Sequence, residues 1–377
     1  MINGIKEKDL RTLLLGKRRS FWVLALTCAF VSTIVLSLPI MADDEAHRTH
    51  IKIVGSSTVL PYTQSVAKAF EKKTLHPVPV IKNTGSGSGI AEFCKGIGLK
   101  YPDIVNSSRP MTKGEWEWCK SKGVDDITEI LFGHDGLTLT KSLFGERMSL
   151  TRLQLYKATA WRVPVHGRLM DNPYRNWSDI DDNLPDVAIQ IFGPTDGKGS
   201  YKSFIKAIYP QTCKNDVSYF KKKRAKLNNP GKFAEFLKAN CSRMRFDSAY
   251  IATDQPVAEI FKMLNTNVNA MALIGYADLF NRRSSLQAVR IEGVEPRIYT
   301  ISDGSYLLSR PLYFYIKNAH RELVPGLTSF VKEFMSDNAM SSFGYLVRMG
   351  LGVLSVEELL HARYAAVIGE KMRRYAD

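Results

Sequence analysis

The chain has 377 residues, of which 45% are hydrophobic and 24% charged, and it carries a formal net charge of +15. That length exceeds one small core and implies two lobes of ordinary domain size, and the composition is that of a globular protein. Five cysteines and seven histidines, with no C-x-x-C and no H-E-x-x-H spacing, argue against a metal centre.

The N-terminus differs from the rest. Lys6, Lys8, Arg11, Lys17, Arg18 and Arg19 precede an uncharged apolar run over residues 21–38, and Ala42 stands before Asp43-Asp44-Glu45. A basic region, an apolar region and a small residue before an acidic start make an export signal over residues 1–42, cut after Ala42. The run is nearly long enough to span a bilayer, so retention as an anchor is the alternative. Those 42 residues hold six Lys/Arg and two Asp/Glu, which leaves about +11 on the remainder, a charge that draws anions in. The one dense basic cluster, Lys221-Lys222-Lys223-Arg224, reads as a solvated helix face, and no nucleic-acid partner is expected. Export leaves Cys94, Cys119, Cys213 and Cys241 in two sequence-local pairs, for which the disulfides Cys94–Cys119 and Cys213–Cys241 are expected, with four buried thiols as the alternative.

After the signal, residues 51–54 alternate as a short strand and run into Gly55-Ser56-Ser57-Thr58-Val59-Leu60-Pro61. Hydroxyl residues suit a helix N-terminus and Pro61 its first turn, so a helix is expected over 62–72 with Val66, Ala67 and Phe70 inward. A second strand over 77–81 leads into Thr84-Gly85-Ser86-Gly87-Ser88-Gly89 and a helix through Lys95. With no bulky side chain in the run, backbone N–H groups and hydroxyls can approach an anion closely at the helix start. A third strand, 103–106, ends in Ser107-Ser108-Arg109-Pro110, where hydroxyls stand beside a guanidinium that can fork onto an oxyanion.

Residues 127–131 lead through Gly133-His134-Asp135-Gly136 into 137–139, a crossing into a second lobe. Residues 150–159 read as a helix and 161–185 as ordered loop. The strand 188–192 ends in Gly193-Pro194-Thr195-Asp196-Gly197-Lys198-Gly199-Ser200 before a helix over 201–208, a fourth turn of the same anion-competent kind. Its spacing fails the nucleotide P-loop pattern, so an NTPase is excluded. Residues 214–242 form a basic helical insert bracketed by cysteines. Strands are expected over 270–276, 289–291 and at Tyr299, and a longer one over 309–316 returns the chain to the first lobe. Helices over 325–336 and 341–348 complete an α/β fold.

Gly55-Ser56-Ser57-Thr58-Val59, the Gly/Ser run with Phe93-Cys94-Lys95-Gly96, Asp103 with Asn106-Ser107-Ser108-Arg109-Pro110, Gly275-Tyr276 and Ser309-Arg310-Pro311-Leu312 resemble motifs of the periplasmic phosphate-binding proteins of bacterial ABC importers. The resemblance covers nearly the whole chain beyond the signal. It implies a two-lobed periplasmic-binding-protein fold of type II with hinge-crossing strands: lobe 1 over 43–134 and 305–377, lobe 2 over 135–304, and a dry central cleft. Carried over by position, it implies Ser57, Thr58 and Val59 (backbone N–H), Ser86, Ser88, Ser108 and Arg109 as first-lobe ligands, and Lys198, Gly199 and Ser200 across the cleft. Where the family usually has Ser-Gly-Thr-Arg-Asp, this chain has Lys198-Gly199-Ser200-Tyr201-Lys202, so Lys198 would have to supply the second-lobe charge without an Arg fork. A carboxylate, Asp135 or Asp247, would accept from protonated phosphate and so reject sulfate. The implied protein is a monomer that binds inorganic phosphate without cofactor, catalyses nothing, works in the periplasm and docks on an inner-membrane permease. The alternatives are a binding protein for another oxyanion, a scaffold or signalling relative with a degenerate site, and, with no G-x-S-x-G elbow to support it, a phosphoester hydrolase.

Overall fold

A computed structural model describes residues 48–373 and 375, so the export segment and its cut after Ala42 lie outside the described residues. Among the described residues, no helix is long and apolar enough to cross a membrane.

The molecule is organised around one long strand, Ile127–Ser142. Its first part, Ile127 to Gly136, pairs antiparallel with Ser309–Lys317, and Leu137 to Lys141 pair antiparallel with Met271–Gly275. The strand is therefore shared by two sheets. On one side the order continues from Ser309–Lys317 through Ile104–Ser107 and Lys52–Gly55 to Val80–Asn83; on the other it runs from Met271–Gly275 through Ile191–Gly193 to Tyr250–Ala252. The outer strands of both sheets are parallel to their neighbours, as helical crossovers require.

The first sheet is covered on both faces, and its sequence shows why. Ile53, Ile104, Phe314 and Ile316 pack against Val66, Phe70, Phe330 and Phe334, while the alternate residues Val54, Val105, Tyr313 and Tyr315 pack against Ile90, Phe93 and Trp116. Helix Leu60–Lys73 buries Tyr62, Val66 and Phe70, spaced four apart on one stripe, with Pro61 in its first turn. A separate core, running from Leu137 to Leu308 in sequence, fills the second sheet's side around Trp177, Tyr156, Tyr209 and Tyr250.

Both expected disulfides are present. Cys94–Cys119 ties helix Ser86–Phe93 to helix Lys113–Ser121, and Cys213–Cys241 closes the basic insert, which folds as helices Ser218–Leu227 and Pro230–Asn240.

Several local expectations differ from the structure. The stretch 161–185 is not all loop: Arg162–Val165 and Arg168–Asp171 form a hairpin whose turn, His166-Gly167, has positive φ at both residues. Pro164 hides that strand, and His-Gly is a weak hairpin signal beside Asn-Gly. Tyr299 lies in helix Ile298–Ser302 and not in a strand. Within 341–348, turns leading into a short 3-10 helix, Val347–Met349, replace the expected helix, and Gly344 passes so near the Ala339 carbonyl that a Cβ would meet its oxygen at 2.2 Å. A helix outside those expected, Val356–Ile368, is started by the capping box of Ser355 and Glu358, an S-x-x-E signature.

Lys317, 1% exposed, donates to the Pro102 carbonyl at 3.0 Å and lies 4.7 Å from the Phe93 ring centre. Burial pulls its pKa down to about 7, with Asp103 opposing. An unfolded Lys ionises at about 10.4. Between those values the unfolded chain binds more protons than the folded one, so stability rises with pH from about 7 to about 10. Denaturant midpoints at neutral and alkaline pH should show this rise, and Lys317→Met should flatten it; an unchanged pH slope in the variant would refute the assignment.

Candidate functional site

Three of the turns singled out in the sequence become helix starts that face the junction of the two sheets. Helix Leu60–Lys73 begins after Val59, helix Ser86–Phe93 after Gly85 and helix Gly199–Asn215 after Lys198, and none of these starts has a side-chain cap. Elsewhere the helices beginning at Lys113, Arg152, Pro230 and Val356 are capped by Thr112, Thr151, Asn229 and Ser355, while those beginning at Ser218, Val257 and Leu327 are uncapped as well. An uncapped start leaves N–H groups and about half a positive charge for an outside anion.

Glycine brings the second of these starts close. Gly55 sits at φ +128°, and a Cβ there would fall 2.1 Å from the Asn106 carbonyl oxygen. A Cβ on Gly89 would lie 2.6 Å from the Gly55 Cα, so the helix lies directly on the strand end. Beside it the Ser108 N–H donates to Ser86 Oγ at 3.2 Å, with the two hydroxyls 3.4 Å apart.

At the centre stands a pair that sequence reasoning did not assign. Arg310 and Asp135 are direct cross-strand neighbours on the two crossing strands. Arg310 Nε and Nη2 donate to Asp135 Oδ2 at 3.0 and 2.7 Å, and the residues are 7% and 2% exposed. The same guanidinium donates to Thr58 Oγ1 at 3.0 Å and Ser203 Oγ at 3.4 Å, touching residues on both sides of the cleft. Burial raises the Asp135 carboxyl above its usual range, opposed by the charge and hydrogen bonds of Arg310. The hydroxyl of Ser309, next to Arg310, is buried without a hydrogen-bond partner.

A cavity of about 460 Å³ lies on one side of Arg310. Ser86, Ser88, Ser108 and Arg109 form one wall, Gly199, Lys202, Ser203 and Lys206 the other, and Ser309 and Arg310 the floor. On the other side of Arg310, Ser57, Thr58, Asp135 and Ser200 line a second cavity of about 360 Å³. Val59 contributes backbone only, since its side chain is in the core.

The remaining candidates are placed differently from one another. Arg109 reaches the wall, but Glu115 grips its guanidinium at 2.6 and 2.8 Å and raises its pKa. Lys198 does not line either cavity: it pairs with Asp254 at 3.3 Å on the surface, both side chains more than half exposed. The second-lobe cations at the cleft are Lys202 and Lys206 instead. Tyr201 turns into the core, where its hydroxyl accepts from the Met244 N–H at 3.1 Å. Asp247 is held by Arg245 and Arg175 away from the cleft, and Asp103 is clamped by Arg48 and His320, so both serve the fold. The sequence signal for Arg310 is its motif, Ser-Arg-Pro-Leu, on a strand expected to return the chain to the first lobe; that this strand lies beside the one bearing Asp135 is seen only in the structure.

Residues 42–338 match the PBP superfamily domain. The chain belongs to that superfamily. It is 24% identical over 307 residues to the phosphate-binding protein PstS of Staphylococcus saprophyticus, covering 80% of each chain. It is 29% identical over 178 residues to protein SphX of Synechococcus elongatus, a match spanning 47% of this chain and 49% of that one. The structure of a possible phosphate-binding protein from Planctomyces limnophilus superposes with a TM-score of 0.57 at 25% identity, covering 85% of this chain and 99% of that one. An ABC-type phosphate transport receptor from Vibrio cholerae superposes with a TM-score of 0.54 at 18% identity, covering 80% and 99%. The fold is the two-lobed periplasmic-binding-protein fold, as the sequence implied.

Asp135→Asn keeps the shape of the pair and removes its negative charge. Stranding the buried Arg310 cation should cost about 3 kcal/mol in the anion-free protein. An anion seated on Arg310 would replace the lost charge, so excess sulfate, which brings no proton for Asp135 to accept, should stabilise the variant more than the wild type in urea denaturation. Equal sulfate effects on the two proteins would contradict this geometry.

Proposed function

We propose that this is an exported binding protein that captures inorganic phosphate between its lobes and presents it to an inner-membrane ABC permease. The observation that carries the reading is the buried Arg310 fork, balanced by Asp135 and flanked by the unpartnered Ser309 hydroxyl, at the meeting point of three uncapped helix starts. The names of the relatives, PstS and a phosphate transport receptor, support the same anion. The lobes divide at the crossing strands, with 43–134 and 305–377 in one and 135–304 in the other, and the protein acts as a monomer in the periplasm.

In this reading the site binds and does no chemistry. Phosphate exchanges its hydration shell for first-turn N–H groups of the helices beginning at Ser86 and Gly199, the hydroxyls of Ser86, Ser88, Ser108, Ser203 and Ser309, and the Arg310 guanidinium, with Ser57, Thr58 and Ser200 beyond the guanidinium in the second cavity. Water exclusion strengthens each of these bonds. Arg109 and Lys202 add attraction from the walls. Oδ2 of Asp135 is taken by Arg310, and Oδ1 is the acceptor for the proton of phosphate that sulfate lacks. Lobe motion would carry the filled cleft to the permease.

Calorimetric titration should show phosphate binding far tighter than sulfate. Arg310→Lys keeps the charge but loses the fork, and should weaken phosphate by about 10- to 100-fold. Arg109→Ala should cost less, because Glu115 already neutralises that residue. Absence of heat with millimolar phosphate, or a larger loss at Arg109 than at Arg310, would overturn the proposal.

A further inference from the structure

The cleft is larger than a bare phosphate needs. Its two cavities, of about 460 and 360 Å³, meet at Arg310, which lines both. Each falls in the range of small-molecule sites, about 300–1,000 Å³, whereas a water's share of liquid volume is about 30 Å³ and a five-atom anion occupies only a few such shares. The surplus does not simply reflect separated lobes, since the walls already touch. A Cβ on Gly199 would lie 3.7 Å from Ser108 Oγ, and Ser203 hydrogen-bonds Arg310.

The smaller cavity has a chemistry of its own. Tyr62 lines it, and the Tyr62 hydroxyl is buried beside it without a hydrogen-bond partner, the residue being only 2% exposed. Asp278 also lines it and makes no hydrogen bond or ion pair among the described residues. Its carboxyl is raised by burial and by Asp135, with Arg282 opposing, and both carboxyls raise Tyr62 in addition to burial. Asp135, Asp278 and Tyr62 thus lie together around this cavity. Arg310 neutralises one carboxylate, and the other faces the cavity without a paired cation. Leu137, Val257 and Ile260 supply an apolar wall between these polar groups. The larger compartment attracts an anion; this one asks for a donor, and a positively charged donor most of all.

We propose that the cleft takes a phosphate group carrying a short ammonium-bearing substituent, with the phosphate on the helix starts and Arg310 and the ammonium in the Tyr62–Asp135–Asp278 compartment. The proposal rests on anion capture at Arg310 and names the substrate class of that same cleft. Two methylenes between phosphate and nitrogen place the charges at opposite ends of a molecule small enough for the smaller cavity to hold its organic half. A substituent without the ammonium would lay its carbons on the same apolar wall but leave Asp278 and the Tyr62 hydroxyl unanswered.

The test is calorimetric titration of the whole exported protein with three probes at the same pH: inorganic phosphate, ethyl phosphate and phosphoethanolamine. Phosphoethanolamine should bind at least tenfold more tightly than ethyl phosphate. Asp278→Asn should erase that preference while leaving the affinity for inorganic phosphate unchanged, and Tyr62→Phe should reduce it in part. If inorganic phosphate binds while phosphoethanolamine is no tighter than ethyl phosphate, the ammonium compartment is wrong and anion capture stands. If none of the three binds, both fail. A preference that survives Asp278→Asn overturns the assignment of the ammonium to this group.

Discussion

The structure depends on the ion pair between Arg310 and Asp135. The two residues sit opposite each other on the paired strands Ile127–Ser142 and Ser309–Lys317, and both are nearly inaccessible. A buried pair of this kind gains little stability over apolar residues of the same size, because desolvation offsets most of the attraction. What it provides is a cation held rigidly between two lobes, with its fork already oriented. Thr58 on one side and Ser203 on the other are tied to it, so the relative position of the lobe surfaces is registered through one guanidinium.

The surrounding fold makes that cation useful to an anion. Uncapped helix starts approach it, and the one built from Ser86 is pressed close because Gly55 and Gly89 remove the atoms that would hold it off. Full positive charges are set further out, on Lys202 and Lys206, or tied up, as Arg109 is by Glu115. The inner shell therefore consists mainly of neutral donors plus one balanced ion pair. Such a shell can hold an anion without a large net charge buried in its absence.

Much of this was legible in the sequence, because it rests on local chemistry. The alternation of strands and helices, the Gly/Ser start at Ser86, the hydroxyls at Ser57 and Thr58, and the pairing of Cys94 with Cys119 and of Cys213 with Cys241 each depend on short stretches of chain. What was not legible depends on distant register or on a side chain's choice between partners. Arg310 and Asp135 are 175 residues apart, and only strand pairing shows that they meet. Lys198 occupies the right turn, yet Asp254 draws its side chain to the surface, and the helix then presents Lys202 and Ser203 to the cleft. Tyr201, which looked like a departure in the site itself, fills the core of its own lobe. The altered second-lobe motif thus changes the cation's position more than it removes the charge.

The most direct measurement is the crystal structure of the protein soaked with phosphate. The account predicts a tetrahedral anion within hydrogen-bond distance of the Arg310 guanidinium and the Ser309 hydroxyl, with first-turn N–H groups of the helices beginning at Ser86 and Gly199 directed at its oxygens. Density for the anion only at Arg109, at Lys198 or on the basic insert, with the Arg310 fork engaged by Asp135 alone, would contradict it.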